Sequence, residues 1–221
     1  MTQFTEQTTE NMPTPDFIVL TTTNNAKLLV WEVTESADEL LRRLGKMEIY
    51  AEEYGKIVSE KRKREFLGVR VAMNALLEKD VIISYDDNRK PYVSDNSYQI
   101  SISHSGKWIA VIAHPTRAVG IDIECPSDKI QKIYTRFLSK TEQEELSNGK
   151  DIRQLQLAWS AKEAMYKIIG KQAVDFATQL KLFPFEVKTE GEIAAQHVPT
   201  ESVYKLSYIQ TYAYNLVYCI A

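Results

Sequence analysis

Two acids, Asp122 and Glu124, stand one residue apart in the otherwise apolar stretch AVGIDIECP, residues 118 to 126. Alternate side chains of a strand point to opposite faces, so both carboxylates would share a face with Gly120. Like charges held side by side repel, and a hard cation such as Mg²⁺ relieves this by taking carboxylate and phosphate oxygens. The pair therefore indicates either a metal site, with Gly120 leaving room for a ligand, or ordinary acids on an exposed strand face.

A third acid lies in WSAKEAMYK, residues 159 to 167. Trp159, Glu163 and Lys167 are spaced by four, which places them on one stripe of a helix. Glu163 is a candidate third carboxylate for the metal, and Lys162 and Lys167 are candidates to contact a phosphate. The alternative is a plain Glu163–Lys167 surface ion pair, but an adjacent tryptophan favours a partly buried stripe.

The stretch SISHSGKW, residues 101 to 108, places His104 between two serines at a predicted strand end. Such a donor-rich segment suits phosphate oxygens, although it lacks the GxSxG form of a nucleophile elbow. The alternative is a strand end with turn-forming serines. Basic residues also cluster in SEKRKREFLGVR and NRKP. Most of them are expected on a solvated helix face, and one or two could bind a phosphate in bidentate arginine geometry.

Composition limits the classes of protein. The chain has 221 residues, with 27 Lys plus Arg against 30 Asp plus Glu and a net charge of −3, which argues against nucleic-acid binding by bulk electrostatics. Cys125 and Cys219 form neither a disulfide framework nor a Cys/His metal pattern. No transmembrane segment is expected, and residues 1–16 resemble a disordered tail and not a signal peptide. We therefore expect a reduced cytoplasmic protein.

Strand and helix patterns alternate along the chain. FIVL and LLVWEV predict two strands around a polar turn, and a helical pattern follows up to residue 79. Strand patterns lead to AVGIDIE, SKTEQ begins a helix at Ser139 or Thr141, and QLQLAWSAKEAMYKIIGK is a helix closed by Gly170. AMNALL and AMYKII, each followed by strands, form a faint repeat. These patterns predict an α+β fold of two similar α/β subdomains in tandem, residues 17–116 and 117–221, with the active site between them.

VGIDIE followed by WSAKEAMYK resembles the paired signature of the 4′-phosphopantetheinyl transferase superfamily. SISHSGKW, RKP, REFLG and RFLSKTE resemble its two-half, surfactin-synthetase-activating type. The similarity extends over about residues 60 to 171. One departure is GKQ at residues 170–172, where the family often has GKG, which leaves the conformation of that loop open.

This resemblance implies transfer of the phosphopantetheine arm of coenzyme A to a serine of an apo carrier protein, with release of 3′,5′-ADP. It implies that Mg²⁺ is held by Asp122, Glu124 and Glu163. The implied contacts to coenzyme A are Ser103, His104, Lys162 and Lys167 on the phosphates, Arg64 near the 3′-phosphate, and Lys90 with Pro91 beside the adenine. Lys167 could also neutralise or protonate the leaving phosphate, and either Glu163 or Glu142 could accept the serine proton.

The implied partner is an acidic helical carrier of fatty-acid, polyketide or nonribosomal peptide synthesis. A basic, partly apolar stretch after the metal strand is the candidate docking surface, and a solvated helix face is the alternative. Its basic residues are Lys129, Lys132, Arg136 and Lys140. The resemblance also implies a monomer that binds neither nucleic acid nor membrane. Two other classes remain possible from the sequence: a different Mg²⁺-dependent phosphoryl or nucleotidyl enzyme, and a non-catalytic scaffold that binds coenzyme A or carriers.

Overall fold

A computed structural model describes residues 17–21, 25–44, 48–146, 149–170 and 173–221. The predicted disordered tail, residues 1–16, and the last two residues of GKQ lie outside the described residues. The elements run in the following order: β1 (Phe17–Thr21), β2 (Lys27–Glu32), α1 (Ala37–Leu44), α2 (Ala51–Gly55), α3 (Glu60–Leu77), β3 (Ile83–Tyr85), β4 (Pro91–Val93), β5 (Gln99–Ser105), β6 (Trp108–His114), β7 (Val119–Glu124), α4 (Tyr134–Phe137), α5 (Lys140–Glu145), α6 (Ile152–Ile169), α7 (Phe176–Gln179), β8 (Leu180–Leu182), β9 (Glu190–His197), β10 (Ser202–Gln210) and β11 (Asn215–Ile220). Short 3₁₀ turns lie at Glu48–Tyr50, Asp128–Lys132 and Val198–Thr200.

The first sheet is antiparallel, with strand order β1-β2-β6-β5, and the long helix α3 packs on one of its faces. The side chain of Ser59 caps α3 by accepting a hydrogen bond from the backbone of Arg62, and Glu78 ends it in the left-handed conformation. Leu67 and Met73 of this helix are buried against Leu29 and Val111 of the sheet. This core holds β5 as the edge strand of the first sheet.

The second sheet is also antiparallel, with strand order β7-β11-β10-β9-β8, and α6 packs across it. Asp151 caps the start of α6, and Gly170 ends it with a φ of 63°, which confirms the predicted closing glycine. The predicted helix start in SKTEQ is also confirmed, since Ser139 and Glu142 form a capping box. The predicted mixture of helices and sheets is thus observed. No helix in the described part of the chain is long and apolar enough to cross a membrane.

The two sheets meet where their edge strands β5 and β7 lie side by side. A third apolar cluster fills this contact, with Leu28 and Ile112 of the first sheet packed against Ile121 and Ile123 of the second. The isoleucines of β7 thus pack on the first sheet, and the two acids lie on the opposite face of the strand, as the alternation predicts, toward α6. Asp122 is only 4% exposed, so the alternative of ordinary surface acids does not apply to it.

Gly120 serves the packing of α6 and not the approach of a ligand, contrary to the expectation from sequence. A Cβ at this position would overlap the backbone oxygen of Ala164 and lie 2.9 Å from Cγ1 of Ile168. Only a glycine therefore lets α6 pack this closely on β7. This contact sets the distance between the acids of β7 and the side chains of α6.

Replacement of Gly120 by alanine is expected to destabilise the fold by roughly 1–3 kcal/mol or more, because the clash is with helix backbone that cannot rotate away. The matched control is Gly55→Ala, since a Cβ there would meet nothing within 4 Å. Denaturant unfolding of both variants measures the difference. Equal midpoints for the two variants would contradict the tight α6–β7 contact.

Candidate active site

The carboxylate of Asp122 lies at the junction of β5, β7 and α6. Its Oδ1 accepts a hydrogen bond of 2.9 Å from the hydroxyl of Ser103 and one of 2.9 Å from Nζ of Lys167. Its Oδ2 is buried and has no hydrogen-bond partner among the described residues. Since buried polar atoms are nearly always paired, this oxygen is a candidate to bind a ligand.

Lys167 connects the C-terminal end of α6 to β7. Besides Asp122, its Nζ donates to the backbone oxygen of Ile121 at 2.7 Å. The ion pair recorded for Lys167 is the one with Asp122, and not the surface pair with Glu163 that the i, i+4 spacing allows. The last turn of α6 therefore places the ammonium group of Lys167 against the acid Asp122 of β7.

Glu163 is the acid that α6 brings to the same place. Burial, followed by the negative charge of Asp122, raises the pKa of Glu163 to about 7. Glu124 raises this pKa further, whereas Lys167 lowers it. Glu163 therefore lies within electrostatic range of Asp122 and Glu124, although about forty residues of sequence separate it from them.

Glu124 is held from both sides of the junction. Its Oε2 accepts a hydrogen bond of 2.7 Å from the hydroxyl of Ser105. Burial raises the pKa of Glu124, with the charge of Asp122 adding to the rise, whereas the hydrogen bond from Ser105 and the neighbouring side chain of Trp159 oppose it. Trp159 therefore lies near an acid of the site as well as packing against Phe137 and Phe176.

These acids fit a divalent cation in kind. Within the described ranges, no three His, Cys, Asp or Glu side chains converge tightly enough to form a ready-made metal centre. However, the cluster has more negative charge than Lys167 balances, and Oδ2 of Asp122 is buried without a partner. A cation with oxygen ligands would satisfy both features.

A cleft of about 500 Å³ lies beside the acids, and elements packed on both sheets line it. Its lining includes five of the residues for which coenzyme A contacts are expected from sequence: Lys90, Pro91, Ser103, His104 and Lys167. Lys90 crosses the cleft, since its Nζ lies 3.4 Å from the backbone oxygen of Ile168 on α6. The hydroxyl of Ser103, by contrast, is directed to Asp122 and not to open space.

Three other residues that line this cleft, Tyr85, Asn88 and Tyr166, were given no ligand role from the sequence, whereas Arg89, also in the lining, belongs to the basic cluster NRKP in which a phosphate contact was considered. Arg89 adopts a φ of 61°, which is uncommon for a residue other than glycine and brings a cation to the turn between β3 and β4. Its position in NRKP was a usable signal. The tyrosines carry no such signal, because nothing in the sequence distinguishes them from core aromatics.

His104 lines the cleft, whereas Arg64 lies outside it. Burial lowers the pKa of His104, although Glu65, whose Oε1 is 3.7 Å from Nδ1, favours the charged form. Arg64 is exposed and lines a small adjoining pocket together with His104, outside the lining of the main cleft. A contact between Arg64 and a ligand in the main cleft would therefore be peripheral.

Lys162 and Glu142 have a different role from the one that the sequence resemblance implies. Lys162 is 0% exposed, and its Nζ donates to Glu142 and to the backbone oxygens of Phe137 and Phe176 at 2.8–2.9 Å. Glu142, 1% exposed, also accepts from the backbone of Leu182. Lys162 has no donor left for a phosphate, and Glu142 is too enclosed to reach a substrate. The pair is structural.

The acids of β7, the helix that faces them and the strands of the second sheet all fall within one family model. Residues 118–219, a little under half of the chain, match the model of the 4′-phosphopantetheinyl transferase superfamily. The recognition made from VGIDIE and WSAKEAMYK is thereby confirmed.

Three similar proteins are named as phosphopantetheinyl transferases. The chain is 30% identical over 150 residues to the 4′-phosphopantetheinyl transferase Sfp of Bacillus subtilis strain 168, covering 64% of each chain. It is 31% identical over 140 residues to a 4′-phosphopantetheinyl transferase of Bacillus subtilis, covering 60% of this chain and 59% of the relative. A phosphopantetheinyl transferase of Thraustochytrium sp. is 28% identical over 100 residues, which are 37% of this chain and 35% of the relative. The chain thus spans less than two thirds of the length of these relatives.

Proposed function

We propose that this protein transfers the 4′-phosphopantetheine group of coenzyme A to a serine of an apo carrier protein, with release of 3′,5′-ADP. The observation that carries the proposal is the cluster of Asp122, Glu124 and Glu163 beside a cleft that is lined with basic side chains. Such a cleft suits a nucleotide with several phosphates. The names of the similar proteins support the same activity.

Mg²⁺ is the proposed cofactor, with Asp122, Glu124 and Glu163 as its ligands. The ion would neutralise charge on the pyrophosphate and help orient it for attack. The unpartnered Oδ2 of Asp122 supports this assignment, because a buried carboxylate oxygen needs either a donor or a cation.

The reaction needs an acceptor for the proton of the carrier serine. The serine oxygen attacks the phosphorus that bears the pantetheine arm, and the bond from this phosphorus to the oxygen of 3′,5′-ADP breaks. Glu163 is the proposed acceptor, since it stands beside Asp122 and the enclosed Glu142 does not. Lys167 and His104, both on the cleft wall, would bind the phosphates, and Lys167 would stabilise the leaving group.

We further infer that residues 17–116 and 117–221 are two related subdomains, each built from an antiparallel sheet and a long helix. The packing of α3 on the first sheet and of α6 on the second supports this inference. A monomer would suffice for activity, because both walls of the cleft come from one chain. A cytoplasmic location and a role in fatty-acid, polyketide or nonribosomal peptide synthesis follow from the same proposal.

The proposed docking surface for the carrier is the basic segment from Lys129 to Lys140. Its four basic side chains are exposed, and none forms an ion pair with a described residue. The segment follows β7 directly, so a carrier bound there would lie near the acids. An acidic carrier would be attracted by this charge.

Reversal of charge at Lys129 and Arg136, both to glutamate, is expected to lower kcat/KM for the carrier on the order of tenfold at low salt. The loss should come from KM for the carrier, with kcat at saturation little changed, and should shrink as salt screens the attraction. Lys188→Glu, an exposed reversal outside the segment, is the control. An unchanged KM for the carrier in the double variant would exclude this surface.

The experiment that tests the proposed function follows 3′,5′-ADP by chromatography in mixtures with coenzyme A, Mg²⁺ and a panel of apo carriers. Release that requires both a carrier and the metal ion is expected. Release without any carrier would instead support the other class of phosphoryl or nucleotidyl enzyme. No release across fatty-acid, polyketide and peptide carriers would contradict the proposal.

A further inference from the structure

Three serines spaced by two in β5 cross from the first sheet to β7 of the second. Ser101 Oγ accepts a hydrogen bond of 3.2 Å from the backbone of Ile121, and Ser105 Oγ accepts one of 3.1 Å from the backbone of Cys125. The two strands belong to different sheets, so these side chains replace a backbone ladder between them. The serines thus fix the register of β5 against β7.

Two of these serines also hold the acids. Ser103 Oγ donates to Oδ1 of Asp122 at 2.9 Å, and Ser105 Oγ donates to Oε2 of Glu124 at 2.7 Å. Because both serines and both acids are spaced by two, each hydroxyl meets one carboxylate. The serine hydroxyls of one strand therefore orient the carboxylates of the other.

The direction of the second hydrogen bond is fixed by its surroundings. Ser105 Oγ already accepts from the backbone of Cys125, so its single proton goes to Glu124. The hydroxyl is neutral and adds no charge to the cluster. Ser105 can therefore orient Glu124 without neutralising its negative charge, which stays available to a cation. A lysine at this position would neutralise that charge.

We propose that Ser103 and Ser105 are positioning residues that hold Asp122 and Glu124 in the orientation needed to bind a divalent cation. This inference rests on the proposed function and extends it from the acids of β7 to the opposite strand. Ser105 gives the cleaner test, since Ser103 also lines the cleft and Ser105 does not. Hydrogen-bond partners of metal ligands typically contribute a factor of about 10–100 to metal affinity.

The experiment measures binding of Mn²⁺ alone by its electron paramagnetic resonance signal, without coenzyme A or carrier. Ser105→Ala and Ser105→Val should bind Mn²⁺ about 10–100-fold more weakly than the unaltered protein. Ser105→Thr, which has the shape of the valine variant but keeps the hydroxyl, should restore affinity to within about threefold. Ser94→Ala, which removes an exposed hydroxyl paired with Ser84, is the control and should change nothing.

Thermal midpoints of all variants separate this role from a merely structural one. If the serine only supported packing, the alanine and valine variants would have lower midpoints, and Mn²⁺ affinity would not depend on whether the side chain carries a hydroxyl. Equal Mn²⁺ affinity in the threonine and valine variants would overturn the inference and leave the proposed function untouched. Absence of Mn²⁺ binding by the unaltered protein would overturn the metal assignment and this inference together.

Discussion

Asp122→Asn is expected to reduce transfer of the phosphopantetheine group more strongly than the loss of a residue that only hydrogen-bonds to a metal ligand, which costs about 10–100-fold. The reason is that Asp122 is itself a proposed metal ligand. The variant keeps the shape of the side chain and removes its charge. It also removes the ion-pair partner of Lys167, whose Nζ lies 2.9 Å from Oδ1. The effect should appear mainly in kcat and in the concentration of Mg²⁺ that gives half-maximal activity.

The matched control for this change is Asp95→Asn. Asp95 is an exposed acid that forms an ion pair with Lys79 and lies outside the lining of the cleft. Activity of this control should stay close to that of the unaltered protein. Activity of Asp122→Asn within about twofold of the control would refute the metal assignment, since even an outer-shell residue should cost more.

Lys162→Met should destabilise the protein on the order of 3–5 kcal/mol, because it leaves the carboxylate of Glu142 buried without its cation. Two backbone oxygens, those of Phe137 and Phe176, would lose a donor as well. KM for coenzyme A in the folded fraction should not change. Lys181→Met, an exposed lysine on β8, should change stability by no more than about 0.5 kcal/mol.

Denaturant unfolding with a double-mutant cycle distinguishes the two roles of Lys162. Addition of Glu142→Gln to Lys162→Met should recover part of the lost stability, since no buried charge then remains. A raised KM for coenzyme A with unchanged stability would instead support the phosphate contact that the sequence resemblance implied.

The alternation in AVGIDIECP was sufficient to predict that the isoleucines and the acids of β7 lie on opposite faces, because strand geometry alone determines it. The end of α6 at Gly170 and the capping box of α5 were likewise predictable, since caps depend on local sequence. The reason for Gly120 was not predictable. A glycine without a side chain can be required either by a closely packed helix or by a bound ligand, and the sequence does not distinguish the two.

The roles of Lys162 and Glu142 depend on which side of α6 each residue faces and on what packs there. Neighbouring residues of a helix point about 100° apart, so Lys162 and Glu163 could not both face the acids of β7. That argument was available from the sequence, although the identity of the buried partner was not. The serines of SISHS have the same spacing as the acids of GIDIE. This match could be interpreted only once β5 and β7 were known to be neighbours.

The most direct test of the central claim is the intact mass of an apo carrier after incubation with this protein, coenzyme A and Mg²⁺. We expect the mass of the carrier to increase by one phosphopantetheine group on its serine, and we expect EDTA and Glu163→Gln to abolish this increase. An unmodified carrier, or a gain that persists undiminished with EDTA and with Glu163→Gln, would contradict the central claim.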